Sequence, residues 1–322
     1  MKHRRRLLIG LAAALFVAIA LPLYGWFSAG PLEHDAAIVV PQGKTLTSVA
    51  GELEQIGAVS SAKAFLIGAK ILGGGEPVKA GEFLIPAHSS PSSVLAILQD
   101  GEVIRRMITI PEGMPSVEVR ERLMATEYLT GDVQVPAEGS VLPDTYDYVR
   151  GESRAEVLKR MQEAMAQTLL ELWAKRSPDI PVSTPRQALI LASIVEKETG
   201  KPSERKIIAG LYENRLRRGM LLQADPTIIY PITKGKPLGR RIRQSEIAAA
   251  NGYNTYTMPG LPEGPITNPG RASIEAVLHP AQTDALFKVA DGTGGHAFSA
   301  NVKEHDANVA RWFALRRKRG EM

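Results

Sequence analysis

The chain contains no cysteine, and only six of its 322 residues are histidine. Without thiols it can form neither a disulfide nor a thiolate metal site, which is compatible with an exported domain that needs no disulfides. His296 and His305 are nine residues apart, and no His-Glu-x-x-His pattern occurs. We therefore expect no zinc site, no other metal and no cofactor.

Motifs of other enzyme classes are also missing. No serine lies in a Gly-x-Ser-x-Gly nucleophile elbow, so a hydrolase of that type is not indicated. The segment Gly292-Thr-Gly-Gly295 lacks the Lys-Ser/Thr pair of a phosphate-binding loop, and its composition predicts a tight turn.

The net charge of +5 lies at the two ends of the chain. Lys2 with Arg4–Arg6 contributes four positive charges and Arg316–Arg319 contributes four more, and removing these eight from +5 leaves −3. The body of the chain is therefore not a basic nucleic-acid binder. A local basic cluster is either a solvated face or a contact for acidic substrate groups. It comprises Arg215, Arg217, Arg218, Arg240, Arg241 and Arg243.

The basic N-terminus is followed by a run of 21 uncharged residues, Leu7–Phe27. As a helix this run would span about 31 Å, the hydrocarbon thickness of a bilayer. A cleavable signal peptide has a shorter apolar core, although Ser28-Ala-Gly30 could serve as a cleavage site. We favour a retained single-pass anchor over residues 1–30, with its basic end in the cytoplasm and the rest across the membrane.

A repeat appears when the following region is compared with itself at a shift of 70 residues. Ile38–Gly43 matches Ile108–Gly113, and Val49 and Leu53 match Val119 and Leu123. Each copy predicts a short strand, a Pro-x-Gly turn and an amphipathic helix. A second strand is expected near Lys79–Ile85, and Ser89–Ser93 caps a helix through Gln99.

These patterns predict an α+β protein. The strand, helix, helix, strand order is similar to a LysM module, which we place at 31–106 and which binds glycan or acts as a spacer. Residues 107–137 form a connecting αβ segment, and 138–322 a mainly helical domain. In that domain we expect a helix from Arg154 to about Lys175, one opened by Ser203, and a last one from about Val302.

The segment Thr184–Gly200 predicts the most informative helix. Thr184 and Gln187 form a capping-box pattern, Pro185 suits the first helical position and Gly200 ends the helix. At spacings of three and four, Leu189, Ala192, Ser193 and Glu196 share one largely apolar face.

Glu196 is the candidate general acid of the chain. Apolar surroundings disfavour a charged carboxylate, which would keep this group protonated and able to donate a proton. The alternative is a boundary residue paired with a neighbouring Lys or Arg. Glu198, about 200° further round the helix, is expected to be solvated. Asp144 and Asp225 are rival acids, but each is next to a proline in a turn, where Asp caps backbone N–H groups.

Polar and aromatic segments follow at three loop-like places, 219–230, 252–262 and 264–270. Tyr, Asn and Gln side chains suit sugar recognition, because hydroxyl groups need hydrogen-bonding partners and pyranose faces stack on aromatic rings. Each segment taken singly is also ordinary turn chemistry.

Ordered sequence blocks across residues 105–313 resemble the YceG-like (MltG) family of endolytic murein transglycosylases. The blocks are Pro111-Glu-Gly113, Pro143–Tyr146, Ala192–Thr199, Leu222–Thr227, Tyr253–Tyr256, Gly260–Pro262, Asn268–Gly270, His279–Ala281 and Val289–His296. The resemblance implies a catalytic domain with lysozyme-like elements, held at the bacterial cytoplasmic membrane and exposed outside it. It also implies peptidoglycan glycan strands as substrate and association with cell-wall synthases.

The resemblance further implies a reaction at the bond between N-acetylmuramic acid and N-acetylglucosamine that leaves 1,6-anhydro ends and limits strand length. Glu196 would be the only catalytic carboxyl group, whereas most glycosidases need two. Gln223, Tyr253, Asn254 and Tyr256 would bind or position the sugar. The alternatives are a non-catalytic peptidoglycan-binding scaffold and a lysozyme-type hydrolase.

Overall fold

A computed structural model describes residues 2–41 and 43–321. Gln42 of the first predicted Pro-x-Gly turn and the two terminal methionines lie outside the described residues. The chain divides into two compact units: unit 1 comprises residues 1–106 with 147–152, and unit 2 comprises 107–146 with 153–322. The domain boundaries drawn from the sequence at residues 30, 106 and 137 stay a prediction.

Unit 1 begins with helix α1, Lys2–Phe27. Within the described residues it is the one helix long and apolar enough to cross a membrane. An 18-residue window within Arg4–Phe27 has a mean hydropathy of 2.5, and none of that window is buried. Near its C-terminal end Trp26 departs from this pattern, since only 6% of it is exposed and it belongs to the core of unit 1.

The rest of unit 1 is a two-stranded sheet covered by helices. Strands β1, Ala36–Val40, and β2, Gly81–Ile85, pair antiparallel with Ala36 opposite Ile85. Two helices lie between the strands in the sequence, α2 Leu46–Gln55 and α3 Ala62–Leu72, and a third, α4 Pro91–Asp100, follows β2. Ile38 and Phe83 face the helices and are at most 3% exposed, whereas Leu84 points to the opposite side of the sheet and is 48% exposed.

The predicted repeat is present in the fold. Strand β3, Arg105–Thr109, is followed by helix α5, Ser116–Ala125, as β1 is followed by α2. Val49 and Leu53 of α2 and their counterparts Val119 and Leu123 of α5 are all at most 1% exposed. Strand β3 pairs with β4, Thr145–Val149. The repeated apolar spacing therefore reflects equivalent helix packing.

Unit 2 is mainly helical, with one antiparallel hairpin near its end. Its elements after β4 are α6 Arg154–Ala174, α7 Pro185–Glu198, a 3₁₀ turn Pro202–Glu204, α8 Arg205–Arg217, α9 Asp225–Thr233, α10 Gln244–Ile247, α11 Arg271–Leu278, β5 Phe287–Ala290, β6 His296–Ser299 and α12 Val302–Lys318. The helices expected at 154–175 and from 302 are confirmed.

Helix α7 lies at the centre of unit 2, in contact with α6, α8, α9 and α11. Five of its aliphatic residues in sequence from Ile190 to Val195 are buried, so the helix is covered on every side rather than along one stripe. A mixed fold of helices and strands was predicted and is confirmed. The central position of α7 decides the surroundings of both of its C-terminal glutamates.

Candidate functional site

The start of helix α7 is fixed by side chains, as the sequence predicts. Thr184 Oγ1 accepts a hydrogen bond from the backbone N–H of Gln187 at 3.2 Å, and Pro185 takes the first helical position. The Gln187 side chain does not return to Thr184; its Oε1 accepts from Ser183 N at 2.8 Å and Ser183 Oγ at 2.9 Å. The predicted capping box is therefore half formed, and the helix still begins where expected.

Glu196, in the last turn of α7, has a side chain only 6% exposed. Its Oε2 accepts a hydrogen bond from the backbone N–H of Gly270 at 2.9 Å, and its Oε1 lies 3.7 Å from Arg205 Nη2. Gly113 is also adjacent, since a Cβ on that residue would lie 3.4 Å from Glu196 Cγ. The expectation of apolar surroundings is wrong at the carboxyl group itself, because a backbone N–H from a distant part of the sequence donates to it and an arginine forms an ion pair with it.

Arg205 connects Glu196 to a second carboxylate. Its Nη2 also donates to Glu112 Oε2 at 2.8 Å, and its side chain is 15% exposed. Gly270 lies directly against Glu112, because a Cβ at position 270 would be 2.1 Å from Glu112 Oε1. The Pro-Glu-Gly block was assigned only to a turn and a family motif. In the structure it supplies the second acid of the cluster.

Asn268 holds the segments around Glu196 together. It is fully buried, its carbonyl accepts from Gly113 N at 3.0 Å, and its Nδ2 donates to Met114 O at 2.9 Å. Its Oδ1 accepts from Val141 N at 3.1 Å. The sequence identified Asn268 with turn chemistry, but its amide joins three segments and places Gly270 at the start of α11.

Glu138 is an ionisable group that the sequence analysis missed. Its Oε1 accepts hydrogen bonds from the backbone N–H of Ser116 at 2.9 Å and from Ser116 Oγ at 3.0 Å. Burial raises the pKa of this carboxyl group to about 7, although Ser116, Tyr230 and Lys197 act in the opposite direction. The only local signal was an acid next to Gly139 and shortly before the Pro-Asp-Thr-Tyr block.

Tyr253 packs against Tyr230, which in turn contacts Glu138. Its ring centroid is 4.8 Å from that of Tyr230, and both Glu138 and Tyr253 act on the Tyr230 hydroxyl. Burial, followed by those two neighbours, raises the pKa of Tyr230. Asn268 Nδ2 lies 3.4 Å from Glu138 Oε1, so a continuous set of polar contacts leads from the surroundings of Glu196 to Tyr253.

Gln223 and Tyr256 are brought close to each other. Gln223 is exposed, has a left-handed backbone with φ of 51°, and donates its N–H to Thr255 O at 3.1 Å. The Tyr256 hydroxyl donates to Asp225 Oδ1 at 2.6 Å, and its pKa is raised by burial and by that carboxylate. An exposed amide and a tyrosine fixed by a carboxylate are suitable contacts for sugar hydroxyl groups.

The expectation of a solvated or substrate-facing basic cluster is wrong for Arg215. It is 7% exposed, its Nε donates to Leu286 O at 2.7 Å, and its Nη1 donates to Leu222 O at 2.9 Å. The same Nη1 donates to Gln223 Oε1 at 3.3 Å. Arg215 therefore holds the loop that carries Gln223, and it does not belong to a surface patch.

Asn254, which the sequence predicts to bind or position the sugar, lies inside its own loop. It is fully buried, its Nδ2 donates to Ile247 O at 2.9 Å and to Ala249 O at 2.7 Å, and its Oδ1 accepts from Tyr256 N at 3.0 Å. Since its amide is occupied by backbone groups, a direct contact with a sugar is not what this geometry offers. Asn254 shapes the loop that presents Tyr253 and Tyr256.

The expectation that Glu198 is solvated is wrong. Its side chain is 8% exposed and forms an ion pair with Lys288 of β5. After burial, the Glu198 carboxylate is the main cause of the raised pKa of the buried Tyr212 phenol. The prediction of a solvent-exposed helix face at position 198 was wrong because α7 is covered by other elements on both sides.

The two rival acids keep structural roles. Asp144 Oδ1 accepts from Thr145 N at 2.7 Å, and its carbonyl accepts from Ile110 N at 2.8 Å. Asp225 is the exposed first residue of α9, and its Oδ1 accepts a hydrogen bond from the Tyr256 hydroxyl. Across residues 2–41 and 43–321, no group of three or more His, Asp or Glu side chains is placed to hold a metal ion.

The site is thus a cluster of carboxyl groups in a mainly helical unit, with one of them held by a helix N-terminus and an arginine. The sequence model of the YceG-like family matches residues 38–311, and the chain belongs to that family.

Two relatives carry the description endolytic murein transglycosylase. The Bacillus subtilis protein is 26% identical over 333 residues, covering 92% of this chain and 91% of the relative. The Streptococcus pneumoniae protein (strain D39) is 29% identical over 321 residues, covering 84% of this chain, which spans only 57% of that relative. The crystal structure of a YceG-like protein from Listeria monocytogenes aligns with a TM-score of 0.53 at 23% identity, over 85% of this chain and 98% of that one. This last likeness supports a shared fold.

Proposed function

We propose that this chain is a membrane-anchored endolytic murein transglycosylase in which Glu196 is the catalytic acid and base. The description shared by the two relatives supports the activity. The observation that carries the choice of residue is the position of Glu196. It is a nearly buried carboxyl group between Gly270 and Arg205, in the cluster that leads to Tyr253.

In the first step Glu196 donates its proton to the glycosidic oxygen between N-acetylmuramic acid and N-acetylglucosamine. The bond from C1 of the muramic acid to that oxygen breaks, and the 2-acetamido group of the substrate stabilises the positive charge. Glu196 is then a carboxylate. The Gly270 N–H and the Arg205 guanidinium are placed to stabilise its charge until the second step.

In the second step the carboxylate removes the proton of the C6 hydroxyl group, whose oxygen bonds to C1. The product carries a 1,6-anhydro end, Glu196 regains its proton and no water is consumed. A single carboxyl group is therefore sufficient for both steps. Gln223, Tyr253 and Tyr256 bind the sugar, and Asn254 positions the loop that carries the two tyrosines.

Helix α1 is the retained anchor in the bacterial cytoplasmic membrane, with the basic N-terminus in the cytoplasm and the remaining chain outside. The burial of Trp26 in the core of unit 1 supports retention over cleavage, because a cut at Ser28–Gly30 would remove this side chain from the core. The strand, helix, helix, strand order of β1, α2, α3 and β2 supports a LysM-like module that binds glycan or acts as a spacer. Cleavage of new strands next to cell-wall synthases would limit strand length.

The test is the incubation of the full chain in detergent with purified glycan strands, followed by mass spectrometry of the products. We expect internal cuts, seen as a broad distribution of fragment lengths, and 1,6-anhydro ends. Fragments heavier by one water per cut would indicate a lysozyme-type hydrolase. Binding of strands without any cut would indicate the scaffold alternative.

A further inference from the structure

Helix α3 of unit 1 has an exposed apolar surface. Ile67 and Ile71, one turn apart, are 52% and 72% exposed, and Leu72 is 42% exposed. Single exposed aliphatic residues are common on soluble proteins and need no explanation. Three exposed aliphatic residues within six positions of one helix exceed this scattered exposure.

The charges within α3 have one sign. Lys63 precedes Ile67 by four residues, Lys70 precedes Ile71 by one, and no acidic residue occurs between Glu54 and Glu76. A helix with exposed aliphatic residues and lysines but no acids has the composition of an element that lies on an anionic lipid surface.

The position of α3 is tied to the end of the membrane helix. The indole ring of Trp26, the last residue but one of α1, stacks on Phe65 of α3 with ring centroids 5.8 Å apart. The backbone of α3 also approaches the indole directly, since a Cβ on Gly68 would lie 2.3 Å from Trp26 Cε3. Gly68 is therefore a contact point between the two helices.

The chain that leaves α1 is also closely packed. The Gly30 N–H donates to His88 O at 3.2 Å, and the His88 N–H donates to Leu32 O at 2.8 Å. A Cβ on Gly30 would lie 2.2 Å from Ser89 O, so this segment runs against the start of α4 without a gap. The rest of unit 1 is thus joined to α1 by packed contacts and not by a loose linker.

These contacts place α3 at a definite depth. Helix α1 ends at Phe27, and its uncharged part from Leu7 is about as long as the hydrocarbon layer is thick, so Trp26 lies at the interface where tryptophan is enriched. Gly68 and Ile71 are three residues apart and share a face of α3, and Ile67 adjoins it. Ile71 therefore lies next to the side of α3 that meets the membrane helix, and Ile67 lies further round, about 100° from Gly68.

We propose that Ile67, Ile71 and the adjacent Lys63 and Lys70 form a lipid-contacting surface. It rests in the headgroup region of the leaflet from which α1 emerges. The isoleucines enter the interface and the lysines contact lipid phosphates. The inference rests on the proposed anchor and goes beyond the proposed activity, because it holds unit 1 against the bilayer.

The absence of native cysteine allows a direct test with single labelled positions. Ile71→Cys is compared with Leu84→Cys, which is also exposed but lies on the side of the sheet away from the helices, and with Leu15→Cys inside α1. Each full-length variant is labelled with an environment-sensitive fluorophore and reconstituted in phosphatidylethanolamine–phosphatidylglycerol vesicles. Lipids with a nitroxide at headgroup depth or at the bilayer centre quench from the membrane, and iodide quenches from the water.

We expect headgroup nitroxide to quench position 71 at least about twofold more than position 84, with iodide showing the reverse order. Equal quenching at the two positions overturns the proposal. Protection of position 71 from iodide without lipid quenching also overturns it, because a protein surface would then cover α3. Failure of the central nitroxide to quench position 15 removes the anchor and this inference together. Murein cleavage measured on the same vesicles reports separately on the activity.

Discussion

Glu196 Oε2 lies 2.9 Å from the backbone nitrogen of Gly270, the residue that precedes the first turn of α11. The free N–H groups of a helix start favour a negative charge. In the proposed reaction, the carboxylate formed when Glu196 gives up its proton therefore lies next to a helix start. The Arg205 side chain lies beside the other carboxyl oxygen, 3.7 Å from Oε1.

Gly270→Ala tests the close packing next to Glu196. The backbone at 270 is extended and accepts alanine, but the new Cβ would lie 2.1 Å from Glu112 Oε1 and must displace that side chain from Arg205. We expect about tenfold lower kcat with a nearly unchanged thermal midpoint, as one charge-assisted contact is lost. Gly200→Ala is the matched control, because a Cβ there meets nothing within 4 Å. Equal activity of the two variants would contradict the assignment.

Arg205→Met tests the second donor. The change removes the 2.8 Å contact with Glu112 and the positive charge 3.7 Å from Glu196 Oε1. We expect kcat/KM to fall by roughly 10- to 100-fold, mainly through kcat, since the charge acts on the carboxylate formed during the reaction. Lys159→Met removes an exposed ion pair with Glu163 and should leave both constants unchanged.

Glu138→Gln tests the pH dependence of the site. Burial raises the pKa of Glu138 to about 7, so the neutral form dominates below that pH and a buried charge appears above it. We expect wild-type kcat/KM to decline above about pH 7, because a negative charge then develops among the polar groups that lead from Asn268 to Tyr253. The glutamine variant keeps a neutral group, so this decline should be weaker in a pH–rate profile.

A second buried acid provides the control for that profile. Burial also raises the pKa of Glu213 to about 7, but this residue pairs with Arg217 outside the Glu196 cluster. Glu213→Gln should keep the wild-type pH–rate profile. A decline that persists in Glu138→Gln and vanishes in Glu213→Gln would show that the titrating group is Glu213 and not Glu138.

Glu213 should instead affect stability. Its pKa rises from 4.5 in the unfolded chain to about 7 in the fold, so the folded state binds the proton more tightly. The stability from this group is complete below pH 4.5 and is lost as the pH rises through 7, amounting to about 3 kcal/mol at most. We expect the thermal midpoint of the wild type to fall between pH 5 and pH 8 more than that of Glu213→Gln. Identical pH dependence of the two melting curves would contradict the assigned pKa.

Trp26→Ala tests whether α1 is part of the core of unit 1. The indole is 6% exposed and stacks on Phe65, so its removal leaves a cavity beneath α3. We expect unit 1 to lose about 3–5 kcal/mol of unfolding free energy in detergent, measured by denaturant titration. Phe16→Ala removes an aromatic ring of the same helix that is 72% exposed and should have no effect. A stable Trp26→Ala protein would mean that α1 is only tethered.

Local features of the fold could be predicted from the sequence because their causes lie within a few residues. The Thr184 cap, the bounds of α6 and the buried positions of the repeat all follow from spacing and capping chemistry. Glu198 was misplaced because its burial depends on β5, which lies 90 residues away along the chain at Lys288.

The candidate site could be predicted only in part for the same reason. Glu196 was found from its helix and from the resemblance, but Asn268 reaches Ser116 across 152 residues, and no local pattern indicates that contact. Glu138 and Arg205 enter the cluster through such long-range packing. Asn254 was expected to bind or position the sugar because its segment resembles a family motif, whereas its buried amide is used by its own loop.

The most direct test of the central claim compares two carboxyl groups in the same helix. Glu196→Gln and Glu198→Gln each replace one carboxyl group by an amide, and the glutamine at 196 can still accept from Gly270. Both full-length variants and the wild type are incubated with glycan strands, and the ends are identified by mass spectrometry. We predict 1,6-anhydro ends from the wild type and from Glu198→Gln, with none from Glu196→Gln. Anhydro ends from Glu196→Gln would show that another group transfers the proton.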